Sequence, residues 1–387
     1  MEKETSKILS IGLLINPIAG MGGKYALKGT DGVETLEIAL KMGATPITPE
    51  RTKNFLLKLV ESGSEKFLFL TPPEPMGKQI FDDFPQISSM VIDITLNDPT
   101  NASDTIKVVS AFCKQKVDLI LFVGGDGTSS DVLNGLTKQI PVIGIPSGVK
   151  TFGEVFSHNI EETISIIEEF IIEPTTHEVD ILDLDEDEYR KGNLTIKVEG
   201  RVLVPNYPEY FQQTKSPSLY TPDNEDTNRR MTDYLIEKIF NTERNQPIII
   251  GPGSTFKNLK LSFGNNHSLL GVDVYFHDKL VLKDATEDQI YNYCFIENLN
   301  FSPILIVTPI GGQGYIFGRG NHQLSPRILK KLLKESIWIV ATKNKLKNIQ
   351  GEVLRVDTRN EYVDTYLSGY TKVITDRDEY MMIKIIH

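Results

Sequence analysis

An apolar run, Leu119-Ile-Leu-Phe-Val123, leads directly into Gly124-Gly125-Asp126-Gly127-Thr128 and then into Ser129, Ser130, Asp131, Val132, Leu133 and Asn134. The order reads as strand, glycine turn and helix start. An α/β sheet binds phosphate at such a turn, because glycine lets the backbone approach an anion without a Cβ in the way. The unbonded N–H groups and the positive end of the helix dipole also favour negative charge there. Asp126 is the odd residue, since a carboxylate beside phosphates repels them. Two roles remove the conflict: a divalent cation bridges the two, or the carboxylate takes a proton from an attacking hydroxyl. Both belong to phosphoryl transfer. The plain structural alternative is that Asp126 caps the helix.

Further glycine segments repeat the theme. Asn16-Pro17-Ile18-Ala19-Gly20-Met21-Gly22-Gly23 closes the first apolar run. In a parallel sheet it would share an edge with the Gly124 turn, so the two turns could address one ligand; the alternative is an ordinary glycine-rich turn. A P-loop does not fit, because Ile18 takes the place of its first Gly and Tyr25 stands where Ser or Thr should bind Mg²⁺. Lys28 and Lys150 sit in or beside glycine segments, where a cation either neutralises charge on a transferred phosphoryl group or is simply solvated. Gly251-Pro252-Gly253-Ser254-Thr255 follows another apolar run and precedes a helix-like segment. Gly312-Gln313-Gly314 through Gly318-Arg319-Gly320-Asn321 follows a third and invites a dehydrogenase reading. Its spacing is off by one, and the next strand, Trp338 to Ala341, ends in Thr342-Lys343 in place of the acidic residue that holds an NAD ribose. Arg319 either grips a pyrophosphate with its fork of donors or forms a surface salt bridge. His322 is the one histidine placed to join a site.

The elements that must carry these turns alternate through the first half. Ile8 to Ile15, Phe67 to Leu70, Met90 to Ile94, Leu119 to Val123 and Val142 to Ile145 read as strands that are apolar on both faces, separated by helical stretches. That pattern predicts a parallel sheet covered by helices. Ser103 is expected to cap a crossover helix with Ile106, Val109 and Cys113 on its inner stripe, and Asn159 a helix running to Phe170. Past residue 172 the pattern changes to Val179 to Leu184 and Leu194 to Val204, joined by an acidic turn (Asp183, Asp185, Glu186, Asp187, Glu188) that lacks calcium-loop spacing. The expected domains are therefore 1–172, Rossmann-like α/β with a parallel sheet, and 173–387, β-rich α+β, with the extreme C-terminus allowed to return to the first. Residues 205–228, rich in proline, tyrosine and polar side chains, read as a long loop. Strands are expected at Pro247 to Ile250, Leu269 to Tyr275, Ile304 to Val307 and Trp338 to Ala341, with a helix capped by Ser325 and opened by Pro326.

A net charge of −11 over 387 residues argues against a nucleic-acid or anionic-membrane footprint, which needs a basic face. The apolar runs are too short to span a bilayer, and the N-terminal residues lack a signal-peptide core, so the expected location is the cytoplasm. Cys113 and Cys294 have no second ligand at zinc spacing and are expected to be buried apolar residues.

Gly124 to Thr128 resembles the GGDGT signature of the superfamily that holds the NAD, diacylglycerol and sphingosine kinases. The Asn16 to Gly23 segment, Lys28-Gly-Thr-Asp31-Gly32, Ile145 to Lys150, Gly251 to Thr255, Thr308 to Asn321, Val356-Asp-Thr358 and Gly369-Tyr370 extend the likeness over nearly the whole chain. They resemble the ATP-NAD kinase-like branch that includes the AcoX proteins. The resemblance implies a Rossmann-like domain and a β-rich domain with the active site in the cleft between them. It also implies Mg²⁺ with ATP, or inorganic polyphosphate, as donor and NAD as acceptor, with Asp126 orienting or deprotonating the adenosine ribose 2′-hydroxyl. Asn16, Pro17, Gly20, Gly22, Gly23, Gly124, Gly125, Gly127, Thr128, Gly148 and Lys150 would hold the nucleotide. Asp31, Gly251, Gly253, Ser254, Thr255, Gly312, Gln313, Gly314, Arg319 and Asn321 would hold the acceptor. No protein ligand for a metal is assigned, and a homo-oligomer is the family-based expectation. The Asn-Glu or Asn-Asp motif that follows GGDGT in NAD kinases has no clear counterpart; Asn134 is a poor substitute. Rival readings are a kinase of a lipid or other small alcohol, which the acidic surface and lack of a basic amphipathic helix disfavour, and a nucleotide-binding regulator without turnover.

Overall fold

A computed structural model describes residues 8–27, 33–63, 67–148, 151–184, 196–214, 222–241, 246–297 and 302–387. It divides into two compact units, Met1–Met21 with Gly29–Gln212, and Gly22–Lys28 with Gln213–His387.

In the first unit, strands β1 (Leu9–Ile15), β2 (Phe67–Thr71), β3 (Ser89–Val91), β4 (Leu119–Gly124) and β5 (Val142–Pro146) form a sheet ordered β3-β2-β1-β4-β5, parallel throughout. Helices α1 (Val33–Lys41), α2 (Thr48–Glu61), α3 (Lys78–Phe81), α4 (Ala102–Gln115), α5 (Asp126–Gly135) and α6 (Ile160–Ile172) connect and flank these strands. β1, β4 and β5 are almost wholly buried, as apolar residues on both faces require. The antiparallel pair β6 (Thr176–Leu184) and β7 (Ile196–Pro205) sends Val179, Ile181, Val202 and Val204 into the same core. The first unit therefore takes in the hairpin that lies past residue 172 and runs to Gln212. The acidic residues 185–188 lie outside the described residues.

The second unit is β-rich. Its nine strands are β8 (Ile248–Ile250), β9 (Asp273–Phe276), β10 (Lys279–Leu282), β11 (Ile304–Val307), β12 (Tyr315–Phe317), β13 (Ile337–Val340), β14 (Leu354–Val356), β15 (Gly369–Asp376) and β16 (Glu379–Ile386). They lie in the order β10-β9-β8-β11-β13-β15-β16-β14-β12. β8, β11, β13 and β15 run parallel, so this sheet too has an edge where strands end together. Alternate residues feed two cores: Ile249, Leu305, Val307 and Ile339 enter one, Ile248, Ile250, Ile304 and Ile306 the other. The second core is closed by Met231, Leu235 and Ile239, one stripe of a helix at Pro222–Asn241. The long loop expected at 205–228 is thus corrected: β7 reaches Pro205, Pro208–Tyr210 is a 3-10 turn, and the helix starts at Pro222, while 215–221 lie outside the described residues. Its first turns are polar and its buried stripe begins only at Met231, beyond the stretch that looked irregular. β15 and β16, which carry the chain to Ile386, sit inside the second sheet.

Among the described residues no helix is long and apolar enough to cross a membrane, and no group of three or more His, Cys, Asp or Glu side chains is placed to hold a metal ion. Cys113 and Cys294 are both buried, and burial pushes the Cys294 thiol up to about 12.

The helix α4 orients the functional turn of the first unit. Its cap is Asn101, not Ser103: the Asn101 side chain accepts from Ser103 N at 2.9 Å, and Asp104 answers by accepting from Asn101 N at 2.9 Å. The inner stripe is Thr105, Val108, Val109, Phe112 and Cys113, with Ile106 only half-buried. Phe112 lies on Gly12 of β1, and Val109 lies on Gly135 of α5, closer than any Cβ at those glycines would allow. Burial alone would raise the Asp104 carboxyl pKa. The N–H groups of Asn101 and Asn97, the Asn97 side chain and Lys107 outweigh burial and hold it below the ordinary 3.8. A depressed folded-state pKa gives stability that is present above the unfolded value and lost as pH falls through the folded one. Asp104→Ala is expected to cost about 1–2 kcal/mol at pH 7 through loss of the cap. Urea titrations at pH 7 and near pH 3 should show the gap to the unsubstituted protein narrowing below about pH 3.8.

Candidate functional site

In the first sheet the chain leaves β1 toward β2 and β3 and later returns on the other side as β4 and β5, so β1 and β4 flank a topological switch point. The turns after both strands are the ones that the sequence singled out. Asn16 follows β1 and donates through Nδ2 to Thr128 Oγ1 at 2.9 Å, while its Oδ1 accepts from Ile18 N at 3.1 Å. Thr48 of α2 donates to the Asn16 carbonyl at 2.9 Å. Thr128 in turn sits on Gly124, within 2.4 Å of where a Cβ would stand. The turn after β5 joins them, since Ser147 N and Gly148 N both donate to Gly124 O, at 2.9 and 3.0 Å. Asn16, Pro17, Gly20, Gly124, Gly125, Gly127, Thr128 and Gly148 therefore occupy one edge of one sheet. Gly20 has φ +77, and a Cβ there would stand 2.1 Å from the Ser147 carbonyl oxygen.

Gly125 takes the cap position of α5 in extended conformation, and Ser129 N makes the first bond of the helical ladder, to Gly125 O at 3.0 Å. The N–H groups ahead of Ser129 are those that a helix leaves to an anion. Asp126 is the first helical residue, so it does not act as the cap. Its carboxylate is buried, and both oxygens accept from Phe152 N, at 2.9 and 3.0 Å. This tether fixes the carboxylate plane at the turn and holds the chain just after β5. Lys150 lies outside the described residues, as do Lys28 and Asp31. Asn134 is exposed in the last turn of α5, at the opposite end of that helix from Asp126.

Gly22 and Gly23 part from Asn16 and belong to the second unit, where Gly23 packs on the His322 ring. Withdrawal from water, followed by the Arg359 and Arg319 guanidiniums, holds the His322 imidazole well below its ordinary pKa, so it is neutral near pH 7. Arg319 is paired with Asp357 at 2.7 Å, and the pair is buried, where the sequence weighed a surface bridge against a pyrophosphate grip. Asn321 is buried and donates to Ile316 O at 2.8 Å. Around Gly312, Gln313 and Gly314 the backbone is knotted: Gly314 N donates to Ile310 O at 2.8 Å, and Gly312 O accepts from Gln350 N at 3.3 Å. A strand, β12, follows in place of the helix that a dinucleotide fingerprint requires, which removes the basis of the dehydrogenase reading. Ser325 does stand at the start of a helix, Pro326–Leu329, but its hydroxyl goes to Glu287 and makes no cap bond.

Gly251, Gly253, Ser254 and Thr255 follow β8. Gly251 N donates to Ile306 O at 2.9 Å and Gly253 N to Leu269 O at 3.0 Å. The loop that carries Leu269 is held by a fully buried ion pair. Lys260 Nζ lies 3.1 Å from Asp273 and donates to the Ser268 and Gly271 carbonyls, and Asp273 accepts from Ser268 N and Asp284 N, at 2.8 Å each. Sequence reasoning missed the partners of this turn. Lys345 Nζ stands 2.9 Å from Thr308 Oγ1 and 3.3 Å from Thr255 Oγ1. Thr308 begins the turn after β11, and Lys345 is the third residue of the short helix Lys343–Lys347 after β13; the only sequence signal was that each follows an apolar run, without a glycine beside it. Ser147 and Phe152 were missed for another reason: their roles are carried by backbone N–H groups.

The chain matches the ATP-NAD kinase N-terminal domain over residues 11–173 and the ATP-NAD kinase C-terminal domain over residues 256–385. The β6–β7 hairpin and the Pro222–Asn241 helix lie between the two matches. No curated protein and no solved structure matches the chain.

Gly20 offers a test of the first-unit edge. Gly20→Ala must strain a left-handed residue and push against a backbone carbonyl, so a loss of more than about 1 kcal/mol is expected in urea unfolding. Unchanged stability would mean that the Asn16 and Ser147 turns are not locked together.

Proposed function

Because the chain belongs to the ATP-NAD kinase family, we propose that it transfers the γ-phosphoryl group of Mg-ATP to the adenosine ribose 2′-hydroxyl of NAD, giving NADP. The observation that carries this reading is the buried Asp126 carboxylate, fixed by Phe152 N at the switch-point edge among the Asn16, Gly124 and Gly148 turns. Phosphoryl transfer asks the protein mainly for positioning and for charge stabilisation. The leading N–H groups of α5 and the glycine turns suit the phosphates, and Mg²⁺ enters with ATP as part of the substrate.

A carboxylate offers about four lone-pair sites, so a carboxylate oriented by hydrogen bonds can also accept a hydroxyl proton. In the proposed step the acceptor O–H proton passes to Asp126 and the oxygen bonds to the γ-phosphorus. The bond from that phosphorus to the β,γ-bridging oxygen breaks, and ADP leaves with the electron pair. Inorganic polyphosphate would undergo the same displacement at its terminal phosphorus.

Incubation of the purified protein with Mg²⁺, ATP and NAD, with products resolved by mass, tests both acceptor and mechanism. Asp126→Asn keeps an acceptor for Phe152 N, so the fold should hold while NADP formation falls by about 10²–10⁴. An unchanged rate would remove Asp126 from the chemistry. Consumption of ATP only when other alcohols are supplied would discard NAD and keep the kinase, and a parallel reaction with polyphosphate decides the donor.

A further inference from the structure

The first unit holds a pocket away from the Asp126 edge. A cavity of about 290 Å³ lies between the chain that ends α5, at Leu133, Leu136, Lys138 and Gln139, and the β6–β7 hairpin, at Arg201 and Leu203. Its size is at the lower end of the range for small-molecule sites, about 300–1,000 Å³. α5 separates it from the candidate site: Asp126 opens that helix and Leu133 lies in its last turn. The hairpin is seated close against this turn, since a Cβ at Gly200 would stand 2.8 Å from Cδ2 of Leu133. The hairpin also falls between the two family matches, which cover 11–173 and 256–385, so the matched segments by themselves do not form this cavity.

The lining has two characters. Leu133, Leu136 and Leu203 are only half-buried, and with the buried Ile140 and Val202 they make an apolar floor. Thr137, Lys138 and Gln139 form an exposed rim, and none of their side chains is engaged in a hydrogen bond or ion pair among the described residues. The remaining charges of the lining are already paired: Arg201 Nε donates to Asp180 at 2.9 Å, and Arg201 Nη1 lies 3.8 Å from Glu178. Lys138 is thus a cation of this pocket that a ligand engages without breaking an ion pair. An apolar concavity with a few convergent polar groups is the usual form of a small-molecule site. The floor calls for an apolar body. The ammonium, with a hydroxyl and an amide beside it, calls for an anionic end, because a charge-assisted bond is roughly twice as strong as a neutral one. Nucleotide phosphates fit poorly, since several negative charges would meet three leucines and the carboxylates of Glu178 and Asp180.

We propose that this pocket binds a small amphipathic anion, a molecule with an apolar body and a single carboxylate or sulfonate. Leu133, Leu136 and Leu203 hold the body, and Lys138 pairs with the charge. The site does not rest on the phosphoryl-transfer reading, in which none of these residues takes part. Fluorescence titration of the full chain with anilinonaphthalene sulfonate, an aromatic body with one sulfonate, measures binding directly. The titration is repeated with ATP and NAD present.

Saturable binding is expected, undisturbed by ATP or NAD. Lys138→Glu should weaken it by about tenfold or more, and Lys138→Arg should leave it near the unsubstituted value. Leu203→Glu should abolish it by placing a carboxylate in the floor. Should Leu203→Glu lose its fold by circular dichroism, the Lys138 variants carry the test alone, since they change an exposed loop residue. Phenylnaphthylamine, the same rings without the sulfonate, should bind the Lys138→Glu variant and the unsubstituted protein equally, which separates recognition of charge from a change in the floor. Equal dissociation constants for the sulfonate in the unsubstituted protein and folded Lys138→Glu, or displacement of the probe by ATP or NAD, overturn the site and leave the kinase reading standing. Lys138-dependent binding in a protein that forms no NADP does the reverse.

Discussion

Parallel strands cannot be joined by a tight turn, and this constraint organises both units. Each parallel strand must be followed by a crossover, so the turns that leave it collect on one edge of the sheet. In the first unit that edge gathers Asn16, Gly124 and Ser147 from the ends of β1, β4 and β5. In the second it gathers Thr255, Thr308 and Lys345 from the ends of β8, β11 and β13. Residues far apart in the chain become neighbours without any local signal that they belong together.

Packing behind the edge sets how accurately the first site is held. α4 rests on β1 through Phe112 against Gly12 and on α5 through Val109 against Gly135. α5 starts at Asp126, so the helix that supplies the buried carboxylate is positioned by contacts at its far end as well as by the Thr128 to Asn16 bond at its start. Close-packed interiors transmit displacement instead of absorbing it. The capping box at Asn101 and Asp104 therefore serves the site, although neither residue is near it in sequence.

Much of this was legible in the sequence because glycine and continuous apolar runs are strong signals. β1, β2, β4, β5, the cap at Asn159 and the turn at Gly124 fell where periodicity and turn chemistry placed them, whereas the strand expected at Met90 to Ile94 is the short edge strand Ser89–Val91, exposed throughout because it has a neighbour on one side only. Three kinds of feature were hidden. The Pro222–Asn241 helix shows its apolar stripe only in its second half, so its polar first turns read as loop. The hairpin of β6 and β7 looks like the start of a β-rich domain, and only the core that it enters reveals where it belongs. Lys345 and Thr308 lie on other strands from the Gly251 to Thr255 turn that they meet, so only the order of strands in the sheet brings them into view. Gly22 and Gly23 show the converse: their spacing suggested continuity with Asn16, yet Gly23 packs on His322.

Burial sorts the cations that hold structure from those that can serve a ligand. Lys260 is wholly enclosed, with its charge met by Asp273 and its donors by two carbonyls; moving any of these would leave a charge uncompensated in a medium that solvates it poorly. Arg319 resembles it in being buried, 2.7 Å from Asp357, with its guanidinium 4.9 Å from the Tyr315 ring centre. A ligand that drew either side chain away would have to replace a buried pair. Lys345 is less enclosed: it is half-buried at a strand-end edge, 2.9 Å from the Thr308 hydroxyl and 3.3 Å from that of Thr255.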